Sequence, residues 1–401
     1  MHTGIDRTGF GWLLACAALA AGEFAASRIP QAADAWPVAA ALIPLVALFG
    51  FGFGARGWHL ACIFLAGAVL YLHASVDMER MLRGQPWMRD RLERRFKTGE
   101  RGMAARLASA KEALSRCAGI GIERGDAAIL NRAILLGERR GLPKQAKRVF
   151  AASGAMHVFA VSGVHVMAVA KVLAVLMQLL FVPKRLAGAA AIPFVWGYVC
   201  VIGMPPSAVR AAMMATIYFF APVFWRRSSA AMSWALTFMV VYVINPRMIT
   251  DIGCALSFTV MLSIILAGDS LRGSSGATAL LVVTLVAWAA GVPLSAHVFG
   301  HVTPGGILAN LVLIPAAALT VGSGALGMLS GFVSETAAAH LNNLAALGSS
   351  AMAGVSAVVA KLPFADFEVE AWPISMCAAW YAALLLALFL SAIRRARSRV
   401  V

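Results

Sequence analysis

The chain has 401 residues, of which 61% are hydrophobic and 13% charged, whereas soluble domains carry about 25% charged residues. This composition excludes an ordinary soluble enzyme, a secreted disulfide scaffold and a disordered chain, because no aqueous fold of this size could bury so much apolar surface. We therefore expect an all-α, polytopic membrane protein. Lys and Arg number 34 against 18 Asp and Glu, which gives a formal net charge of +16.

Twelve apolar stretches are long enough to cross a bilayer as helices of about 20 residues. Prolines and glycines within them, such as Pro193, Pro293, Pro315 and Gly322, indicate that some are broken or re-entrant helices. The predicted segments are 10–29, 36–54, 58–75, 155–182, 186–203, 206–225, 230–244, 252–268, 277–297, 304–333, 337–361 and 372–393.

The loop charges predict the orientation. With a cytoplasmic N-terminus and every segment crossing, the cytoplasmic loops and tail hold eleven Lys and Arg and the short outer loops hold three. Positive residues are retained on the cytoplasmic side, so the count supports this arrangement. It divides the chain into three transmembrane helices at 1–75, a basic and mainly helical extracytoplasmic region at 76–153, and a transmembrane domain at 154–401. That last domain has about nine helices and a short basic cytoplasmic tail.

The predicted outer region is strongly basic. Residues 76–150 contain 18 Lys and Arg against 9 Asp and Glu. Such a region could be a solvated helical hairpin, a surface for anionic lipid headgroups, or a landing surface for a polyanion. For a nucleic-acid partner, the capturing residues would be Arg139, Arg140, Lys144, Lys147 and Arg148.

Polar groups inside apolar segments are costly and usually face a cavity or a partner. On an unbroken helix, His157 and His165 would project to roughly one side, with Lys171 close to the His157 direction. Lys171 either lines a wet cavity or pairs with a helix neighbour such as Glu23. Arg210 lies near a segment end, so it either lines the same cavity or extends its head group to the interface. Ser162 and Gly163 complete the cluster that opens the fourth segment.

Further polar candidates lie downstream. Asp251 is placed to cap a helix N-terminus, and Asn310 is a buried amide in a later segment. His297 and His301 are four residues apart, a spacing that can present two metal ligands on one helical face. Gly300 nevertheless favours a helix end between them, and no Glu separates them, so we predict no metal site.

Residues 152–166, ASGAMHVFAVSGVHV, resemble the signature of the ComEC competence family, a Ser-Gly, His, Ser-Gly-hydrophobic-His pattern that opens a transmembrane helix. Three later runs are similar to family motifs in the same order, and residues 136–139 resemble the lead-in. These runs lie within 207–211, 245–258 and 299–315. The resemblance implies a channel of the bacterial inner membrane that imports one strand of DNA during natural transformation. The candidate path residues are then His157, Ser162, Gly163, His165, Lys171, Arg210, Asp251 and Asn310.

Two features depart from the family. Its usual extracytoplasmic domain resembles a small β-barrel, whereas residues 76–150 are rich in Ala and Arg and predict helix. Many members also end in a metallo-β-lactamase-like domain, whose His-x-His-x-Asp-His motif does not occur in this sequence. Any strand-degrading activity is then expected from a separately encoded nuclease, unless the chain is a reduced relative with an altered function.

The sequence offers no force-generating motif. It lacks the G-x-x-x-x-G-K-[ST] phosphate loop of nucleotide-driven motors. We expect no cofactor and no catalysis. A cytoplasmic motor, a strand-binding protein or the membrane potential would drive transport. The chain could act alone or as a homo-oligomer. Two alternatives remain: a small-solute transporter, or an intramembrane serine protease with Ser162 as nucleophile and His165, His297 or His301 as base.

Overall fold

The computed structural model describes residues 105–122, 125–138, 141–244, 248, 251–268 and 274–397. The three segments predicted before residue 76 lie outside the described residues. The chain divides into two compact units, one of Met1–Arg106 and Ala235–Met248, the other of Leu107–Trp234 and Ile249–Val401. The contacts given below lie within the second unit.

Most of the described residues are helical. Short 3₁₀ turns at Met156–Phe159 and Ala221–Phe224 and one two-stranded ribbon interrupt the helices. The elements are α1 (105–117), α2 (Asp126–Leu136), α3 (Lys144–Ala152), α4 (Gly163–Leu179), α5 (Lys184–Val201), α6 (Pro206–Phe220), α7 (Ala230–Ile244), α8 (Ile252–Leu266), α9 (Gly276–Phe299), β1 (His301–Val302), α10 (Gly305–Ser330), α11 (Glu335–Val359), β2 (Phe367–Glu368) and α12 (Ile374–Arg397).

The prediction of an all-α membrane protein is confirmed. Helices α4 to α12 correspond to the nine segments predicted after Phe150, and most of their ends agree within a few residues. Three helical stretches are long and apolar enough to cross a membrane: Pro206–Phe224, Gly276–Phe299 and Gly305–Ser330. Helix starts follow local chemistry, since the Asp251 carboxylate accepts the Cys254 N–H at 3.0 Å as a cap.

Two expectations about continuity were wrong. The segment predicted at 155–182 is not one helix: a 3₁₀ turn and an extended link precede α4, which begins at Gly163. His157 and Lys171 therefore do not share a helix face. Conversely, Pro193, Pro293 and Pro315 lie inside continuous helices, because neighbouring helices and slight local adjustment accommodate a proline in a packed bundle.

Helix α4 has three helical neighbours among the described residues of the second unit. It packs against α5, α6 and α10, and α10 in turn packs along α11. Close approach of α10 and α11 depends on glycines: a side chain at Gly327 would clash with Asn342, and one at Gly348 with Thr320. Small residues let helix backbones approach closely, as is common in membrane bundles. In α10, Gly327 therefore serves packing, whereas nothing lies within 4 Å of a Cβ at Gly322.

Candidate functional site

The chain turns sharply at the end of α3. Helix α3 finishes in a Schellman motif: the Ala155 N–H donates to Phe150 O at 2.7 Å and the Gly154 N–H to Ala151 O at 2.9 Å. Gly154 supplies the left-handed conformation that the motif needs, with φ of 70°. The Ser153 hydroxyl adds a 3.2 Å bond to Phe150 O. Helix α3 therefore delivers the chain directly into the first motif.

Gly154 packs against the start of α10. A Cβ at Gly154 would lie 3.0 Å from Thr303 Oγ1 and 3.1 Å from Gly306 Cα. Only glycine combines this close approach with a positive φ at no cost. The motif at 152–166 is thereby joined to the motif at 299–315.

Ser162 and His165 form the N-terminal cap of α4. His165 Nδ1 accepts the backbone N–H of Ser162 at 3.2 Å and lies 2.8 Å from Ser162 Oγ. This is a capping box with His in the place of the usual Glu or Gln. Because Nδ1 accepts the backbone N–H, the ring proton is on Nε2. His165 is only 1% exposed.

Helix α6 links the first motif to the second. The Ser207 hydroxyl donates to Val161 O at 2.8 Å, and the space beside Gly163 is closed by Ala211, whose Cβ would lie 3.9 Å from a Cβ at Gly163. Each contact joins residues 152–166 to residues 207–211.

Arg210 links the second motif to the third. Arg210 is 3% exposed, and its Nη2 donates to Gly253 O at 2.9 Å. The Asp251 carboxylate caps α8, the helix that contains Gly253, by accepting the Cys254 N–H. All four motifs therefore meet at one end of the bundle, which we refer to as the motif junction: Gly154, Ser162, His165, Ser207, Arg210, Asp251, Gly253 and Gly306.

Several buried polar atoms at or beside the motif junction have no hydrogen-bond partner in the part of the chain that the structure describes. They include His165 Nε2, Arg210 Nε, Arg210 Nη1 and Asn310 Oδ1. An unsatisfied buried donor or acceptor costs about 1–3 kcal/mol. Asn310 follows Gly306 by one helical turn on α10, and α4 contacts both α6 and α10. These groups are thus carried by adjacent helices.

The other predicted path residues lie elsewhere. His157 is exposed, with its Nδ1 3.2 Å from Gly154 O at the edge of the junction. Lys171 lies on the exposed face of α4 with Val164 and Val175, whereas His165 lies on the buried face. The structure therefore brings Ser162, Gly163, His165, Arg210 and Asp251 together, but it does not place Lys171 beside them.

Three of the predicted capturing residues lie on α3. Lys144 and Arg148 are exposed and Lys147 is half-buried, and none of the three has an ion-pair partner among the residues described. Arg139 and Arg140 lie outside the described residues. Because α3 ends at Ala152, two residues before Gly154, this cationic surface leads into the motif junction.

His297 and His301 have separate structural partners. His297 Nδ1 lies 2.6 Å from Trp372 O, and His301 Nδ1 lies 3.2 Å from Asp366 Oδ1 beside the β1–β2 ribbon. Among the residues described, no group of three or more His, Cys, Asp or Glu is arranged to hold a metal ion.

Four contributors to the junction were not singled out from the sequence as site residues: Gly154, Ser207, Gly253 and Gly306. Ser207 occurs in a recognised motif, but its bond to Val161 O spans 46 residues. The Gly253 carbonyl gives no sequence signal, because any residue supplies one. Gly154 could have been found, since glycine after an amphipathic helix is typical of a Schellman cap.

The fold and the motif junction define an all-α membrane protein with a buried, polar, partly unsatisfied site where four sequence motifs meet. The chain belongs to the Competence protein family, which it matches over residues 134–394. It is 26% identical over 187 residues to ComE operon protein 3 of Bacillus subtilis (strain 168); the match covers 46% of this chain and 24% of that protein. The ComEC resemblance is thereby confirmed. No solved structure matches the chain.

Proposed function

We propose that the chain is a multi-pass protein of the bacterial inner membrane that imports single-stranded DNA during natural transformation. Membership of the Competence protein family supports a role in competence. The observation that carries the proposal is the convergence of four motifs at a junction that contains Arg210, whose Nε and Nη1 are buried and have no hydrogen-bond partner among the described residues. A phosphodiester is an anion that can accept a hydrogen bond from each of these two nitrogens.

The chemistry of the junction suits a strand in transit. DNA crossing about 30 Å of hydrocarbon needs a protein-lined path with cationic and hydrogen-bonding walls. Arg210 offers charge, His165 Nε2 a neutral donor, and Asn310 an amide able to accept or donate. Few, separate contacts of this kind bind weakly enough for the strand to move on.

Capture is proposed to begin on α3. Lys144, Lys147 and Arg148 are unpaired cations in the described region, and phosphate contacts to them gain free energy from counterion release. Because α3 runs directly into Gly154, a strand held there is delivered to the motif junction without leaving the protein surface.

Lys171 is proposed as the next contact. It lies six residues beyond His165, about 9 Å further along the axis of α4, on the exposed face of that helix. Its role requires that this face border the path, either within one chain or between two copies in a homo-oligomer.

The orientation is also a proposal. With the N-terminus cytoplasmic, the motif junction and α3 lie at the outer end, where DNA arrives, and the basic C-terminal tail lies inside. A topology reporter inserted beside Arg106 should report a location outside the cytoplasm, because this position lies in the proposed outer region. A cytoplasmic location would contradict the proposed orientation.

In this proposal the chain is a transporter and not an enzyme, and it uses no cofactor. Force would come from a cytoplasmic motor, a strand-binding protein or the membrane potential, since the sequence contains no nucleotide-binding phosphate loop. Degradation of the second strand would depend on a nuclease partner.

One observation favours a second candidate, an intramembrane serine protease. Ser162 Oγ and His165 Nδ1 are 2.8 Å apart, within reach for proton transfer. The same contact is accounted for by capping of α4, in which His165 also binds the Ser162 N–H. The transport proposal therefore treats the pair as a helix cap.

Deleting the gene in a naturally competent host tests the proposal. Labelled DNA should still bind the cell surface, but nuclease-protected label should no longer reach the cytoplasm. The wild-type gene should restore import and an Arg210→Met gene should not. Unchanged cytoplasmic label in the deletion strain would overturn the proposal.

A further inference from the structure

Two helices end on aromatic residues in a conformation that favours glycine. After α4, the Phe181 N–H donates to Gln178 O and the Val182 N–H to Met177 O, both at 3.0 Å. After the 3₁₀ turn that follows α6, Trp225 and Arg226 make the same pair of bonds. Both ends are Schellman motifs, with Phe181 (φ 62°) and Trp225 (φ 57°) in the left-handed position.

The same protein uses glycine at equivalent positions elsewhere. Gly154 after α3 and Gly203 after α5 occupy the left-handed position of their Schellman motifs, with φ of 70° and 90°. A bulky side chain in this conformation is strained. Phe181 and Trp225 therefore need a compensating interaction that Gly154 and Gly203 do not.

Little of that compensation comes from the protein itself. Phe181 is 95% exposed and Trp225 85% exposed. Arg185 stacks on the Trp225 ring, with Cζ 3.3 Å from its centroid, and donates to Pro222 O and Val223 O at 2.6 Å each. Arg185 therefore covers one face of the Trp225 ring, whereas the Phe181 ring remains outside the packed core.

Unpaired positive charge surrounds the two rings. Lys184, Arg226 and Arg227 are exposed, and their side chains have no ion pair or hydrogen bond in the described part of the chain. Neither loop, 180–187 or 220–229, contains an acidic residue. This surface, the aromatic–basic end, lies at the C-terminal end of α4, opposite the motif junction: Phe181, Lys184, Arg185, Phe224, Trp225, Arg226 and Arg227.

We propose that the aromatic–basic end binds anionic phospholipid, with the Phe181 and Trp225 rings at the level of the glycerol backbone and Lys184, Arg226 and Arg227 on the phosphates. Aromatic rings and basic side chains at helix ends suit this interface. Exposed Leu179 and Leu180 continue the ring surface along α4, and aliphatic side chains fit hydrocarbon better than they fit nucleobases. The inference does not depend on DNA transport.

Lipid titration of the purified, delipidated full chain in dodecyl maltoside tests the charge requirement. Added phosphatidylglycerol should raise the melting temperature, and phosphatidylcholine should not. The variant Lys184→Gln/Arg226→Gln/Arg227→Gln should lose more than half of that rise. The matched variant Lys144→Gln/Lys147→Gln/Arg148→Gln, which removes three charges from α3, should keep it.

Substitutions of Phe181 test the requirement for the aromatic ring in the same lipid titration. Phe181→Gly relieves the left-handed strain, so without lipid its melting temperature should equal or exceed that of the wild type, yet its rise with phosphatidylglycerol should be smaller. Phe181→Leu keeps the strain and removes the ring, so it should show the smaller rise without the lipid-free gain. Equal rises with both lipids, or a full rise in the Lys184 triple variant, would overturn the proposal. A rise produced by oligo-dT instead of lipid, and lost in that variant, would assign the surface to nucleic acid.

Discussion

The hydroxyl of Ser207 donates a 2.8 Å hydrogen bond to the carbonyl oxygen of Val161, 46 residues earlier in the chain. Three residues further along α6, Arg210 donates to Gly253 O. One face of α6 thus ties the loop before α4 to the start of α8, and Gly154 ties the same loop to α10. The motifs are separated in sequence but form one structure, so changes in any of them should act on a shared site.

Gly154→Ala should damage this structure more than Gly203→Ala. Both glycines have positive φ, so each alanine bears the left-handed cost of about 1–2 kcal/mol. Only Gly154 also faces a close contact with Thr303 and Gly306, whereas nothing lies within 4 Å of a Cβ at Gly203. Melting temperature should fall further in Gly154→Ala, and DNA import should fall in that variant alone. Equal effects would contradict the role of this contact.

Arg210→Met separates function from stability. Replacing a buried, half-satisfied charge by an apolar side chain of similar size is often neutral or stabilising, so the melting temperature should stay the same or rise. DNA import should drop at least tenfold. Arg185→Met is the matched control: Arg185 uses two hydrogen bonds and a ring contact, so its loss should lower stability while folded protein still imports DNA. Normal import by Arg210→Met would show that the guanidinium does not meet the strand.

Neutralising α3 should weaken capture in a salt-dependent way. In Lys144→Gln/Lys147→Gln/Arg148→Gln, the slope of log binding constant against log salt should become shallower by about 0.7 for each lost single-strand phosphate contact. Binding of labelled oligonucleotide at several salt concentrations measures it. The Lys184→Gln/Arg226→Gln/Arg227→Gln variant should keep the wild-type slope. Identical slopes in the wild type and the α3 variant would show that α3 is not part of the capture surface.

Ser162→Asn distinguishes transport from proteolysis. Asn is a good N-cap, so α4 should remain capped and import should stay within a few-fold of wild type, whereas Ser162→Ala should lose about 1 kcal/mol of stability. A serine protease would lose all activity with either change, because both remove the nucleophile. Complete loss of function in a stably folded Ser162→Asn protein would favour the protease.

The helices were largely predictable from the sequence because charged residues, prolines and glycines bound the apolar runs. Asp251 was predicted as a cap for the same local reason, and the structure confirms it. The break before Gly163 was not predictable from composition, because residues 158–161 are as apolar as the helix that follows. Ser162 with His165 three residues on was the local signal, a capping box with an unusual partner.

Tertiary relationships set the limit of prediction at the site. Arg210 was chosen because a cation in an apolar segment is costly, but its partner is a backbone carbonyl 43 residues away. Lys171 was chosen by the same argument and lies on the exposed face of α4. The left-handed aromatics Phe181 and Trp225 oppose local preference, so no propensity could indicate them.

Photo-crosslinking of DNA in transit tests the central claim, that the strand passes the motif junction. A photoreactive amino acid is introduced at Asn310 beside the junction, and at Leu281 on the exposed surface of α9 as control. Labelled DNA supplied to competent cells should crosslink at position 310 and not at position 281. Import at the wild-type rate with no crosslink at position 310 would contradict the account.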